Sequence, residues 1–263
     1  MELTVKDIAA FMEEWAPLSY AEDYDNVGLL IGHEDQPVTS IMVAVDASEE
    51  VMNQAVEKKV DLLLTHHPLI FRPVKKIVQN DRTGRRLLQL IENKIALYSA
   101  HTNLDSAPGG NNDRAAQQLG LVDIQAVAQA GEKACLRIGR LPNPLTLGEL
   151  AEQTLKKYRL PYIRIVGNND QIVSKVAFCA GSGMDFMPLA IKEGADAFIT
   201  GDITYHKADE AMAAGLGLID ATHFGTDMLS VKWVAEELRH MAQEKDVDLV
   251  VWEAEEADIY QTL

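Results

Sequence analysis

The sequence predicts an α/β fold made of two similar halves related by internal duplication, and three patterns carry that prediction. Short leucine-rich or β-branched runs end abruptly in polar residues; amphipathic stretches alternate with those runs; and residues 40–71 lie without a gap over residues 175–206, strand on strand and helix on helix. Continuous apolar runs of this length suit strands covered on both faces, and their alternation with helices is the pattern of α/β architecture.

Four segments follow the run-then-polar template: residues 61–67, ending in His66 and His67; residues 95–101, ending in His101; residues 196–202, ending in Asp202; and residues 216–223, ending in His223. Helices are predicted at residues 49–59, 84–93, 112–119, 184–193, 209–214 and 227–241, each with apolar positions at helical spacing. The duplication matches Met52 with Met187, Ala55 with Ala190, Asp61 with Asp196 and Thr65 with Thr200. A second match supports it: His101 with Asp105 four residues later lies over His223 with Asp227 four residues later. The halves are expected at residues 1–125 and 126–263, the boundary falling within 120–131. Residues 141–147, with Pro142 and Pro144, are expected to form a loop inside the second half.

Composition narrows the function. With 263 residues, 47% hydrophobic and 24% charged, and a mean hydropathy of −0.08, the chain has the profile of a folded globular protein rather than a disordered or membrane one. No apolar stretch is long enough to span a bilayer, and residues 1–11 have neither a basic start nor an apolar core, so a cytoplasmic location and no membrane contact are expected. The two cysteines, Cys135 and Cys179, read as buried thiols. A net charge of −16 opposes sequence-independent binding to nucleic acid. One local basic cluster (Arg72, Lys75, Lys76, Arg82, Arg85, Arg86) reads either as a solvated face or as an anion-attracting rim.

Four of the seven histidines stand at strand ends within the repeated template. In open α/β sheets that is where functional groups collect. Imidazoles with carboxylates and no thiolate form the ligand set of a hydrolytic or redox metal centre rather than a structural zinc site. The expected centre holds two divalent ions on His66, His67, Asp105, His223 and Asp227, one of the paired histidines to each ion. Asp227 is placed to bridge if Gly225 turns the chain into a helix beginning near Thr226. His101 and Asp202 are expected behind the ligands, orienting them or moving protons. Asp196 and Asp220 read as structural hydrogen-bonding residues, residues 109–112 as either a turn or an anion site, and the role of His206 stays open.

With these residues in hand, the chain resembles the Nif-three-like family of dinuclear-metal proteins, whose bacterial members carry the label GTP cyclohydrolase I type 2 homologue. The matching motifs are Asp25-Asn-Val-Gly-Leu-Leu-Ile-Gly32, Leu64-Thr-His-His-Pro68, Ala100-His-Thr-Asn-Leu-Asp105, Gly109-Gly-Asn-Asn112, Thr200-Gly-Asp-Ile203 with His206, and Ile219-Asp-Ala-Thr-His223. The resemblance implies two similar α/β halves with a metal pair in the cleft between them, assembly into a ring-shaped homohexamer, and ligands at His66, His67, Asp105, His223 and Asp227. Two positions depart from the family: Asp227 stands where glutamate is usual, one methylene shorter, and Thr222 stands where glycine is usual.

Two functions follow as expectations. One is a metal-dependent hydrolase with a small-molecule substrate; the resemblance points to a purine nucleotide such as GTP. The other is a metal-binding oligomeric scaffold or regulator without turnover. Nitrogen and oxygen ligands accept zinc, iron, manganese, nickel or cobalt alike.

Overall fold

A computed structural model describes residues 2–128 and 133–261. Its strands are β1 (Leu3–Thr4), β2 (Gly28–Ile31), β3 (Pro37–Val38), β4 (Ser40–Ala44), β5 (Leu62–Thr65), β6 (Ala96–Ser99), β7 (Val122–Val127), β8 (Leu136–Thr146), β9 (Arg164–Val166), β10 (Ile172–Phe178), β11 (Ala197–Thr200), β12 (Gly217–Asp220) and β13 (Val250–Glu253). Its helices are α1 (Val5–Trp15), α2 (Glu49–Lys58), α3 (Arg82–Glu92), α4 (Thr102–Ser106), α5 (Asn111–Leu119), α6 (Leu147–Tyr158), α7 (Met187–Lys192), α8 (Tyr205–Ala213) and α9 (His223–Glu244). Among the described residues no helix is long and apolar enough to cross a membrane. The chain forms two compact units, Met1–Leu104 with Ser230–Ala257 and Asp105–Leu229 with Asp258–Leu263.

The first unit is built on a sheet of order β13-β4-β5-β6-β2, parallel except for β2. Every residue of β5 and β6 is buried, which is why their sequences run apolar without alternation. Val51, Met52 and Ala55 of α2 and Leu90 of α3 pack on Met42, Leu63 and Leu97 of the sheet. Ser48 caps α2 by accepting from the Val51 N–H, with Glu49 and Glu50 in the first turn, where the helix dipole favours acids. Asp81 caps α3 in the same way, and the backbone then passes so close that a Cβ on Gly84 would lie 2.4 Å from the Val78 carbonyl oxygen.

The second unit carries the order β7-β8-β10-β11-β12-β9, with β10, β11 and β12 parallel and β8 and β9 antiparallel to their neighbours. Met187, Leu189 and Ala190 of α7 and Ala211 of α8 cover Ala177, Phe198 and Leu218. The duplication is visible in the register. Ile41 pairs with Leu62 and Leu62 with Ala96 in the first unit; Val176 pairs with Ala197 and Ala197 with Gly217 in the second. The offset from Ile41 to Val176, and from Leu62 to Ala197, is the one that carries Ser40 to Lys175 in the gapless sequence match. An antiparallel strand closes the far side of each parallel core, β2 beside β6 and β9 beside β12.

Three local expectations differ from the structure. Residues 141–147 are not a free loop: all but Leu147 belong to β8. Pro142 and Pro144 fit there because the register against β10 breaks between Arg140 and Leu145, so neither must donate to a regular ladder. Helix α9 begins at His223 rather than near Thr226, since the Thr222 hydroxyl accepts from the Gly225 N–H and starts the first turn earlier. The compact units are also cut differently from residues 1–125 and 126–263. After α9 the chain supplies β13, which pairs with β4, so a C-terminal segment completes the first sheet. Part of the expected boundary, residues 129–132, lies outside the described residues.

Candidate functional site

In the first unit β5 ends at Thr65, and His66 and His67 follow with backbone N–H groups bonded to Ala44 and Val45. His101 follows β6 in the neighbouring position. The three imidazoles have ring centroids 5.1–5.4 Å apart, and one nitrogen from each lies within 4.8 Å of the others. Each Nδ1 has an acceptor: the Ala100 carbonyl at 2.9 Å for His66, Asp46 Oδ1 at 3.1 Å for His67, and both Asp25 oxygens at 2.9 Å for His101. A carbonyl only accepts, so His66 Nδ1 carries its proton and Nε2 carries the lone pair; the two carboxylates impose the same tautomer on the neutral forms of His67 and His101. Three Nε2 lone pairs held in this way are metal donors with their orientation fixed from behind.

Asp25 is itself well anchored, accepting from the Thr102 N–H at 3.1 Å and its hydroxyl at 2.5 Å. Burial pushes its pKa up, but hydrogen bonds and charge from His101, with Thr102 and Asn26, outweigh burial and bring it down to about 2. The carboxylate behind His101 is therefore ionised at any physiological pH.

In the second unit His223 and Asp227 occupy the first two turns of α9, on one face, with His223 Nε2 3.1 Å from Asp227 Oδ2. Nδ1 of His223 lies 2.7 Å from Asp202 Oδ2. Burial lowers the pKa of this imidazole, yet Asp227 and then Asp202 overcome that and push it up to about 9. Gly181, at φ +61°, borders the pair: a Cβ there would stand 3.3 Å from both Asp227 carboxylate oxygens and 3.4 Å from His223 Nε2. Asp202 and Thr222 both adopt left-handed backbone, at φ 54° and 61°. For a β-branched residue such as Thr222 this costs about 1–2 kcal/mol.

Asp105, in α4, accepts from Asn111 Nδ2 at 2.9 Å, which leaves Asn111 Oδ1 buried with no hydrogen-bond partner among the described residues. Asn112 holds the same turn through the Asp105 and Cys135 carbonyls and accepts from the Ala180 N–H. Residues 109–112 thus act as a buttress for Asp105, and the Gly109 N–H is spent on Asp113.

The structure gathers His66 and His67 with His101, which the sequence placed behind the ligands rather than among them. It gathers His223 with Asp227 and Asp202. His206 is exposed, its ring 5.6 Å from that of Tyr205. Asp220 bonds the Thr222 N–H and the Arg164 guanidinium; Asp196 bonds the Ser174 and Lys175 N–H groups. Cys135 and Cys179 are buried free thiols, and burial pushes the Cys179 pKa up. Sequence reasoning missed Asp25 and Asp46 as orienting groups. The donor set fits divalent cations: imidazole and carboxylate, several held by hydrogen bonds, and no accessible thiolate.

The sequence profile of Duf34/NIF3 (NGG1p interacting factor 3) matches residues 3–258. A Clostridium acetobutylicum protein named GTP cyclohydrolase 1 type 2 homolog is 37% identical over 243 residues, covering 90% of each chain. A protein of the same name from Clostridium perfringens is 35% identical over 95% of this chain and 96% of its own. Among solved structures, a Staphylococcus aureus protein described as hypothetical superposes with a TM-score of 0.91 at 28% identity over 100% of each chain. Reduced HcgD from Methanocaldococcus jannaschii superposes at 0.82 with 30% identity, over 97% of this chain and 99% of its own. Agreement of profile, relatives and fold along the whole chain has one reading: the protein belongs to the Duf34/NIF3 family.

Proposed function

We propose that the protein is a dinuclear metal-dependent hydrolase acting on a purine nucleotide such as GTP, in the cytoplasm and as a ring of six copies. The observation that carries this reading is the three-imidazole cluster, whose Nδ1 atoms are all held by acceptors so that the ring orientations are set from behind, with one nitrogen from each ring within 4.8 Å of the others. In this reading His66, His67, Asp105, His223 and Asp227 would be the ligands of two divalent ions. Bound there, such ions supply a hydrolytic nucleophile from water at neutral pH and neutralise developing negative charge. Asp25 and Asp46 keep the imidazoles in the ligating tautomer, and Asp202 orients His223. His101, backed by ionised Asp25, or exposed Asp202 handles the proton in transit. The name of the Clostridium relatives supports GTP as the substrate to try first.

The test begins with elemental analysis of protein purified without an affinity tag, followed by GTP turnover with each metal restored. About two ions per chain and turnover abolished by H66A/H67A, with the oligomer unchanged in light scattering, are expected. A chain that binds no divalent ion would sink the reading. Lost assembly in the double variant, with no turnover from the wild type on GTP, cyclic nucleotides or phosphodiesters, would favour a scaffold.

A further inference from the structure

We propose that the segment following the His66–His67 pair is a nucleotide grip, in which Phe71 and Tyr24 take the base while Arg72, Lys75, Lys76 and Arg82 take the phosphates. This rests on the hydrolase reading and assigns residues to its substrate.

Charge is the first argument. Residues 72–86 hold six of the chain's 24 Lys and Arg and one of its 40 Asp and Glu, in a protein of net charge −16. Within this cluster Arg85 has a carboxylate partner, Glu49 at 2.9 Å. Among the described residues Arg72, Lys75, Lys76 and Arg82 have none, and the Nε of Arg86 is buried without a hydrogen-bond partner. Crowded cations repel one another, so this arrangement costs the free protein and is relieved by an anion.

Aromatic surface is the second argument. Phe71 is 42% exposed and Tyr24 67% exposed, although their rings meet edge to face at 6.3 Å. Phe71 also meets the His101 ring at 6.4 Å, which ties this surface to the three-imidazole cluster. Phe71, Arg72, Lys75 and Lys76 share a cavity of about 450 Å³, the size class of small-molecule sites. Both ends of the segment are pinned, by Asn26 Nδ2 donating to the Ile70 carbonyl at 2.5 Å and by the Asp81 cap on α3. A free phosphate has no use for the aromatic pair, and an uncharged nucleoside has none for the cations; an aromatic heterocycle carrying phosphates uses both.

The test is calorimetric titration of the metal-loaded full-length protein with GTP, guanosine and inorganic tripolyphosphate at increasing salt. GTP binding that weakens steeply with salt is expected, with guanosine at least tenfold weaker. R72E/K75E should weaken GTP and tripolyphosphate at least tenfold with metal content unchanged. Phe71→Leu, which keeps an apolar side chain, should weaken GTP about threefold or more and leave tripolyphosphate unaffected. Equal GTP binding by wild type and R72E/K75E, guanosine binding as tight as GTP, or a single-stranded oligonucleotide bound where mononucleotides are not, would each overturn the grip. GTP held through these residues without turnover would sink the hydrolase and leave the grip standing; turnover of an uncharged compound with no GTP binding would do the reverse.

Discussion

Tyr98 sits at the middle of a fully buried strand with its hydroxyl paired to nothing among the described residues, and burial pushes its pKa up. An unpaired hydroxyl in such a place costs the folded state its desolvation, about 1–3 kcal/mol, while the ring contributes packing. Tyr98→Phe is therefore expected to leave stability unchanged or raise it by about 1 kcal/mol in urea denaturation; a loss of more than about 1 kcal/mol would reveal a hidden partner. The imidazoles near this strand were legible because each interrupts an apolar run at its end. Their supports were not. Asp25 lies 76 residues from His101 in the chain, and Asp46 follows β4 as many acidic residues follow strands. Nothing in either local pattern distinguishes an orienting carboxylate from a solvated one, and only the fold brings each to a ring nitrogen. The grouping of His101 was not legible for a related reason: spacing along the chain says that it stands at a strand end, but not that its ring meets those of His66 and His67.

At the scale of elements, Asp61 and Asp196 show the duplication acting as one device used twice. Each precedes a buried central strand, β5 or β11, and each carboxylate accepts two successive backbone N–H groups: Thr39 and Ser40, where the chain enters β4, in one unit, and Ser174 and Lys175 of β10 in the other. Asp61→Ala and Asp196→Ala should each cost about 1–3 kcal/mol in urea denaturation, by stranding those donors. A large effect at one site and none at the other would break the equivalence. Parallel strands were readable because burial on both faces keeps the apolar pattern uninterrupted, whereas the helices Val5–Trp15 and Leu147–Tyr158 were not among those expected; β8 was not readable either, because Pro142 and Pro144 look like loop residues until a register break accommodates them.

The segment after β13 supplies a pH-sensitive contact of the same scale. Glu256 accepts from the Val45 and Asp46 N–H groups, at 2.7 and 3.1 Å, yet burial raises its pKa above the ordinary 4.5, those two hydrogen bonds opposing. The folded state thus holds this proton more tightly than the unfolded chain does. Its contribution is fully present below pH 4.5 and is lost as pH rises through the elevated folded value. Stability measured from pH 4.5 upward should fall more steeply in the wild type than in Glu256→Gln. The slope is the readout, since glutamine alters the hydrogen bonds and shifts the absolute value. Parallel slopes would show that the carboxylate titrates alike in both states.

At the scale of the whole molecule, sequence repeat and compact unit do not coincide, and the difference has a consequence for dissection. The repeat suggests cutting near residue 125, but the first sheet takes its outer strand from residues 250–253, and the first unit also includes α9 from Ser230 onward. A fragment of residues 1–125 would leave the Ser40–Ala44 strand with an open edge of unpaired N–H and C=O groups beside exposed apolar surface, the condition that favours aggregation. The second sheet, β7 to β12, lies wholly within Asp105–Leu229. Expressed alone, residues 105–229 should give a dispersed amide spectrum and a cooperative melt, whereas residues 1–125 should be insoluble or collapsed. Fusing residues 1–104 to 230–257 through a flexible linker should restore a cooperative transition to the first unit, because the parallel pairing of Val250–Glu253 with Ser40–Val43 is regained. A soluble, cooperatively melting 1–125 fragment would show instead that the repeat, and not the contact-defined unit, is the folding unit of this chain.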